Sequence, residues 1–168
     1  MSYKVKNTIV SMLTGALVLA AYCIYAFGKV QSNTVAPDDM KFWATAILVF
    51  IGIGVAAMIV IQIIFHILLS VSMAVKDQVQ NGKYDDKKVE KALKQEMVED
   101  EMDKLIALKS MRIGFATVGT GFIAALIALV LNYYAAVMLN ILFLSFSIGS
   151  MIEGVAQLFY YRRGVNNG

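Results

Sequence analysis

Residues Lys76–Arg112 read KDQVQNGKYDDKKVEKALKQEMVEDEMDKLIALKSMR, and the fold turns on them. This stretch holds nine of the chain's 15 Lys/Arg and nine of its 12 Asp/Glu. Two long apolar runs precede it and two follow, so one polar segment divides two hydrophobic pairs. Over the whole 168 residues, 59% are apolar, 16% are charged and one is proline. A soluble domain carries roughly a quarter charged residues, so the balance points to a chain solvated by lipid.

The runs have the length a bilayer demands. The spans are expected at about 8–28, 43–75, 111–131 and 135–161. The first, Thr8 to Gly28, reaches roughly 30 Å at 1.5 Å per residue, the thickness of a hydrocarbon core. Lys4 and Lys6 before it also suit a signal peptide, but the run is long for one and three more spans follow. Between the first two spans, Pro37-Asp38-Asp39 reads as a helix start, and Phe42 and Trp43 fall where an aromatic belt is expected. The run from Ala44 to Val75 exceeds one crossing by about ten residues, so its helix must tilt or continue past the membrane. Between spans three and four lies a short uncharged turn with Tyr133 and Tyr134, and Tyr160-Tyr161-Arg162-Arg163 closes the fourth.

Charge orients the four spans. Thirteen Lys/Arg fall at the N-terminus, in the central stretch and after the fourth span, whereas Lys29 and Lys41 stand alone on the other side. By the positive-inside rule both termini and the central stretch are cytoplasmic. The expected fold is therefore an all-α integral membrane protein, a four-helix bundle in the plasma membrane. A charged helical arm, residues 76–110, joins spans two and three. Along that arm Val89, Leu93 and Met97 share one face, and Val98, Met102 and Leu105 fall roughly opposite. One straight helix cannot press both sets on one surface, so a joint is expected near Glu99–Asp103, beyond which the helix runs on into the third span. Val89, Leu93 and Met97 are the candidate contacts for a partner, either a second copy or a membrane or cytoplasmic protein.

The segment DEMDKLIALKSMRI, Asp100 to Ile113, resembles a signature in small four-span membrane proteins of Gram-positive bacteria and some archaea. The ending Tyr160-Tyr161-Arg162-Arg163-Gly164 is similar to theirs as well. Such proteins form a family of unknown function, often encoded beside a small helix-turn-helix regulator. The resemblance implies the four-span fold and a bacterial setting; it implies no catalytic residue.

Ionisable groups inside spans are costly and mark candidate sites. Glu153 is the carboxylate of the fourth span, sharing an arc with Asn140, Ser147, Ser150 and Gln157. Span two presents Thr45, Gln62, His66 and Ser70. Span one presents Asn7, Ser11, Thr14, Tyr22 and Tyr25, and span three a small-residue stripe of Gly114, Thr117, Gly121, Ala125 and Ala128. These faces are expected to turn inward, either as packing surfaces or as a polar site of Glu153, His66, Gln157, Gln62, Ser150 and Thr14. In the second case Glu153 and His66 form a titrating pair. Their depth depends on the end counted from: inner-leaflet from the charged ends, interfacial from the outer aromatics.

Several functions are excluded. A lone Cys23 and a lone His66 provide no metal cluster within one chain. Haem would need a second axial ligand that no methionine spacing supplies, so no cofactor is expected. No basic patch stands clear of acids, which argues against nucleic acid. No nucleophile elbow, phosphate loop or metalloprotease helix is present, so no enzyme is expected. Two functions remain in view: an interaction or regulatory module working through the arm, and a small proton-linked transporter or channel using Glu153 and His66. Self-immunity against a membrane-active peptide fits the same topology.

Overall fold

Each helix begins and ends where local chemistry dictates. In the computed structural model, which describes residues 3–81, 98 and 100–164, α1 spans Tyr3–Gln31 and α2 spans Met40–Asn81. α3 spans Glu101–Val130 and α4 spans Ala135–Arg163. All four are long and apolar enough to cross a membrane. α1 stops at Asn33, whose φ of 47° breaks the helical path. Asp39 then starts α2, its carboxylate accepting the Phe42 amide at 2.9 Å. That satisfies one of the orphan donors of a helix N-terminus, as the Pro-Asp-Asp sequence leads one to expect.

α3 starts in a capping box. Asp100, extended at φ −83° and ψ 173°, accepts the Asp103 amide at 2.6 Å, and Asp103 accepts the Asp100 amide at 3.4 Å. The non-helical Asp100 lies within the interval where the displaced apolar stripes call for a joint. From Glu101 the helix then continues through Arg112 into the apolar run without interruption. At its far end Asn132, at φ 64°, occupies the left-handed position of a Schellman motif. The Tyr133 and Asn132 amides donate to the carbonyls of Ala128 and Leu129, each at 3.0 Å. This turn folds α4 directly back on α3.

α2 is the longest element. Its 42 residues extend about 63 Å, twice a hydrocarbon core, and the apolar part ends at Val75. The apolar run is helical throughout and the helix continues six residues beyond it, a length that suits either a tilted crossing or an extension past the membrane.

α4 is the centre of the arrangement. It packs against α1, α2 and α3; α1 also packs against α2, while α3 touches only α4 among the described residues. Small side chains do the packing and large ones face outward. The buried set includes Gly114, Ala125 and Ala128 of α3 and Ala136, Gly149 and Gly154 of α4. Ile59, Ile63, Leu68, Phe115 and Phe146 are exposed. In water such a surface would drive aggregation. In lipid, where tails are as apolar as leucine, helices gain by close approach of small residues instead.

The α3–α4 contact shows this at atomic scale. A methyl group placed on Gly149 would lie 2.8 Å from Val118 Cγ2 and 2.9 Å from the Gly114 carbonyl oxygen. One placed on Gly121 would collide with the Ser145 side chain. Two expectations for single residues are corrected here. Trp43 is 5% exposed, tucked edge-on to Phe42 at 5.5 Å, and does not join a lipid-facing belt. Cys23, a lone cysteine in an apolar run and so expected to be a small buried hydrophobe, lies on the exposed side of α1.

Candidate functional site

Where α3 meets α4 through glycine and alanine, α1 meets α4 through polar side chains, and there the helices stand apart. Cross-helix pairs fix the register. The Thr8 hydroxyl donates to Gln157 Oε1 at 3.0 Å, and Met12 packs on Gly154. Farther along, the Tyr22 hydroxyl donates to Asn140 Oδ1. On the other side of α1, Gln62 Nε2 donates to Ser11 Oγ at 3.1 Å and the Tyr3 hydroxyl lies 3.4 Å from His66 Nε2.

A cleft of about 570 Å³ opens between α1, α2 and α4. Its composition changes along the helix axis. Toward the Tyr3/Arg163 end it is lined by Asn7, Thr8, Ser11, Ser150, Glu153 and Gln157. Toward the other end the lining is Val18, Leu19, Phe50, Ile51 and Phe143. Tyr22 closes that apolar end. It is 1% exposed and sits edge-on to Phe50 at 5.2 Å and to Phe143 at 4.5 Å. Its hydroxyl is held by Asn140, whose own amide is fixed by a 2.8 Å bond to the Ala136 carbonyl. The cleft therefore has a polar mouth and an aromatic floor.

Glu153 is the one charged side chain in the lining; no Lys, Arg or His is among those residues. Gln157 Nε2 approaches Glu153 Oε1 at 3.5 Å, a long contact, and the carboxylate leans over Gly114. A methyl group on Gly114 would stand 3.0 Å from Glu153 Cβ and 3.2 Å from Oε2, so the glycine makes room for the acid. Two of the five cleft hydroxyls are satisfied by their own helices. Thr14 donates to the Val10 carbonyl at 2.9 Å and Ser147 to the Phe143 carbonyl at 3.0 Å. Asn7 Oδ1 differs: it is buried and has no hydrogen-bond partner among the described residues. Such an acceptor is costly to leave unmade in an apolar setting.

Of the six residues expected to form a polar site, Glu153, Gln157, Ser150 and Thr14 line the cleft. Gln62 reaches its edge through Ser11. His66 is not among them. It pairs with Tyr3 and packs edge-on to Phe65 at 6.1 Å, making no ion pair with Glu153. The reason is register: Glu153 lies level with Met12, whereas His66, one turn beyond the Gln62 that meets Ser11, lies level with about Asn7 and is met by the long Tyr3 side chain. Those levels are about 8 Å apart along α1. Val89, Leu93 and Met97 lie outside the described residues.

Sequence reading missed three features of the site: Thr8 as the ligand of Gln157, Gly154 as the seat of Met12, and Gly114 as the recess for Glu153. The Glu153-Gly154 pair carried a signal for the second, since a glycine beside a lone intramembrane acid marks close helix approach. Compared with protein-family models, with curated proteins and with solved structures, the chain finds no match in any of the three.

Proposed function

We propose that this chain is a multi-pass protein of the cytoplasmic membrane that binds a cationic species in the α1–α2–α4 cleft, coupled to protonation of Glu153. It carries out no chemistry of its own. Both termini and the 76–112 stretch lie on the cytoplasmic side, so the cleft opens inward. One observation carries the reading: a lone carboxylate lines a cleft with no basic residue in it. A carboxylate bordering lipid favours a cation as its partner. Exchange of that cation for a proton is the elementary step of proton-linked transport. Arg112 stands two residues before Gly114 and Arg162 nine after Glu153. The acid thus sits about 3 to 14 Å inside the flanking basic residues, deep enough to be costly and near enough to water to exchange. The aromatic floor at Tyr22 favours a binding site that must rearrange to release its load over an open channel. Reconstituted vesicles test this directly: a pH gradient should drive flux that Glu153→Gln abolishes. Flux that is absent, or unmoved by the substitution, rules the reading out.

A second reading, an interaction module working through the 76–112 stretch, has its own support. Val98 is 69% exposed and Met102 49% exposed beside the Asp100–Asp103 cap, outside the apolar run of α3. The partner that suits this self-contained apolar pair is a second copy of the chain. Val98→Glu with Met102→Glu should then lower the oligomer mass in detergent, and an unchanged mass would remove this reading.

A further inference from the structure

From the chemistry of its lining, we infer that the cleft takes a protonated amine carrying an apolar body, its head at Glu153 and its body against Phe50 and Phe143. This deepens the cation-binding reading and rests on it. Three features narrow the ligand. First, the charge in the lining is a single carboxylate with no counter-ion, which calls for one positive charge rather than a zwitterion or an anion. Second, polar groups crowd the mouth, and farther in the lining hydroxyls of Thr14 and Ser147 are bonded to their own helices. The rest is aliphatic and aromatic, ending at the Tyr22–Phe50–Phe143 cluster, so a small hydrated ion would leave most of the cleft unused. At about 570 Å³ the space falls within the roughly 300–1,000 Å³ of organic-ligand pockets. Third, Asn7 lines the same mouth, and its Oδ1, closed off from solvent, has no hydrogen-bond partner among the described residues, so a turn of the side chain offers it to a ligand at no loss of an existing bond. An ammonium N–H donates to such an acceptor, whereas a quaternary ammonium has no N–H to give. Gln157 and Thr8 are engaged with each other across the mouth, one turn beyond the acid.

The test is equilibrium binding to the full chain in lipid nanodiscs, with empty nanodiscs subtracted. The probes are 4-phenylbutylammonium, 4-phenylbutan-1-ol, 4-phenylbutyltrimethylammonium and methylammonium. The first should bind saturably, and each of the others at least about tenfold more weakly, a difference of one logarithmic unit in Kd. Glu153→Gln should erase the preference for ammonium over alcohol, while Glu153→Asp keeps it and shows the fold intact. Asn7→Leu should erase the preference over the trimethyl analogue, and Phe143→Ala should weaken the phenylbutyl probe but not methylammonium. Methylammonium binding as tightly as the phenylbutyl probe, with Glu153 dependence, overturns this inference and leaves the cation site standing. So does Glu153-dependent proton flux with no probe bound. Equal binding of ammonium and alcohol overturns both.

Discussion

α4 presents two kinds of surface, and their contrast explains how the molecule is built. Toward α3 it offers Ala136, Gly149 and the notch at Ser145, and the two backbones meet so closely that Gly149 leaves no room for a methyl group. Toward α1 it offers Asn140, Ser147, Ser150 and Gln157, with Glu153 at the border between the faces, its carboxylate over Gly114 of α3, and the two helices are held at intervals by hydrogen bonds that leave a cleft. Hydropathy alone does not distinguish the two faces, since all four helices are long and apolar. Side-chain size and hydrogen-bonding capacity do. The α3 face works by shape and the α1 face by chemistry; a site belongs on the second, because polar groups in lipid are retained where something must be held.

Substitutions should separate the faces by size of effect. The largest loss is expected from Gly149→Leu, which drives a branched side chain into Val118 and the Gly114 carbonyl. Overpacking of this kind costs about 1–3 kcal/mol where neighbours can move, and here one of the neighbours is backbone. Unfolding in mixed micelles should show it, and an unchanged midpoint would mean that α3 and α4 do not pack on glycine. Next comes Tyr22→Ala, which removes a buried ring from the cleft floor. About 3 kcal/mol is expected by the same unfolding measurement, with Tyr22→Phe costing nearer 1 because only the hydroxyl bond to Asn140 is lost. If the two variants are equal, the hydroxyl bond rather than the ring holds the floor.

Asp100→Ala comes third, at about 1 kcal/mol of local helix stability. Its signature is faster amide exchange at Asp103 and Lys104 with the spans unaffected, and uniform protection would show that the capping box contributes nothing. Thr8→Val is the smallest, about 0.6 kcal/mol as is usual for interhelical bonds in lipid. A cost as large as that of Gly149→Leu would erase the distinction between the two faces.

How far these faces were legible in the sequence follows from the kind of pattern each leaves. The small-residue stripe of Gly114, Gly121, Ala125 and Ala128 repeats at helical spacing within one element, so its inward turn could be read from α3 alone. The caps at Asp39 and Asp100 are local too, each spanning a few residues. The cleft is different, because it depends on which level of α1 meets which level of α4 and α2. Counting depth from charged ends treats all helices as finishing in one plane, yet α2 continues to Asn81 while α4 stops at Arg163. That offset set His66 beside Glu153 on paper, whereas the Tyr3–His66 and Thr8–Gln157 pairs put them at separate levels. Trp43 was misread for a related reason: an aromatic near a span end suits both a lipid belt and a helix contact, and only the neighbouring helix decides.

The most direct test of the account uses the single native thiol to advantage. In a Cys23→Ser background, Ser150→Cys places a reactive thiol in the lining of the cleft beside Glu153. The thiol should react with a cationic methanethiosulfonate from the Tyr3/Arg163 side, and on the order of tenfold faster than with the anionic reagent, a ratio set by the local field of the carboxylate. Adding Glu153→Gln should bring the two rates together. No reaction at Ser150→Cys, or a charge preference that survives the loss of Glu153, would contradict the assignment of this cleft as a water-accessible cation site.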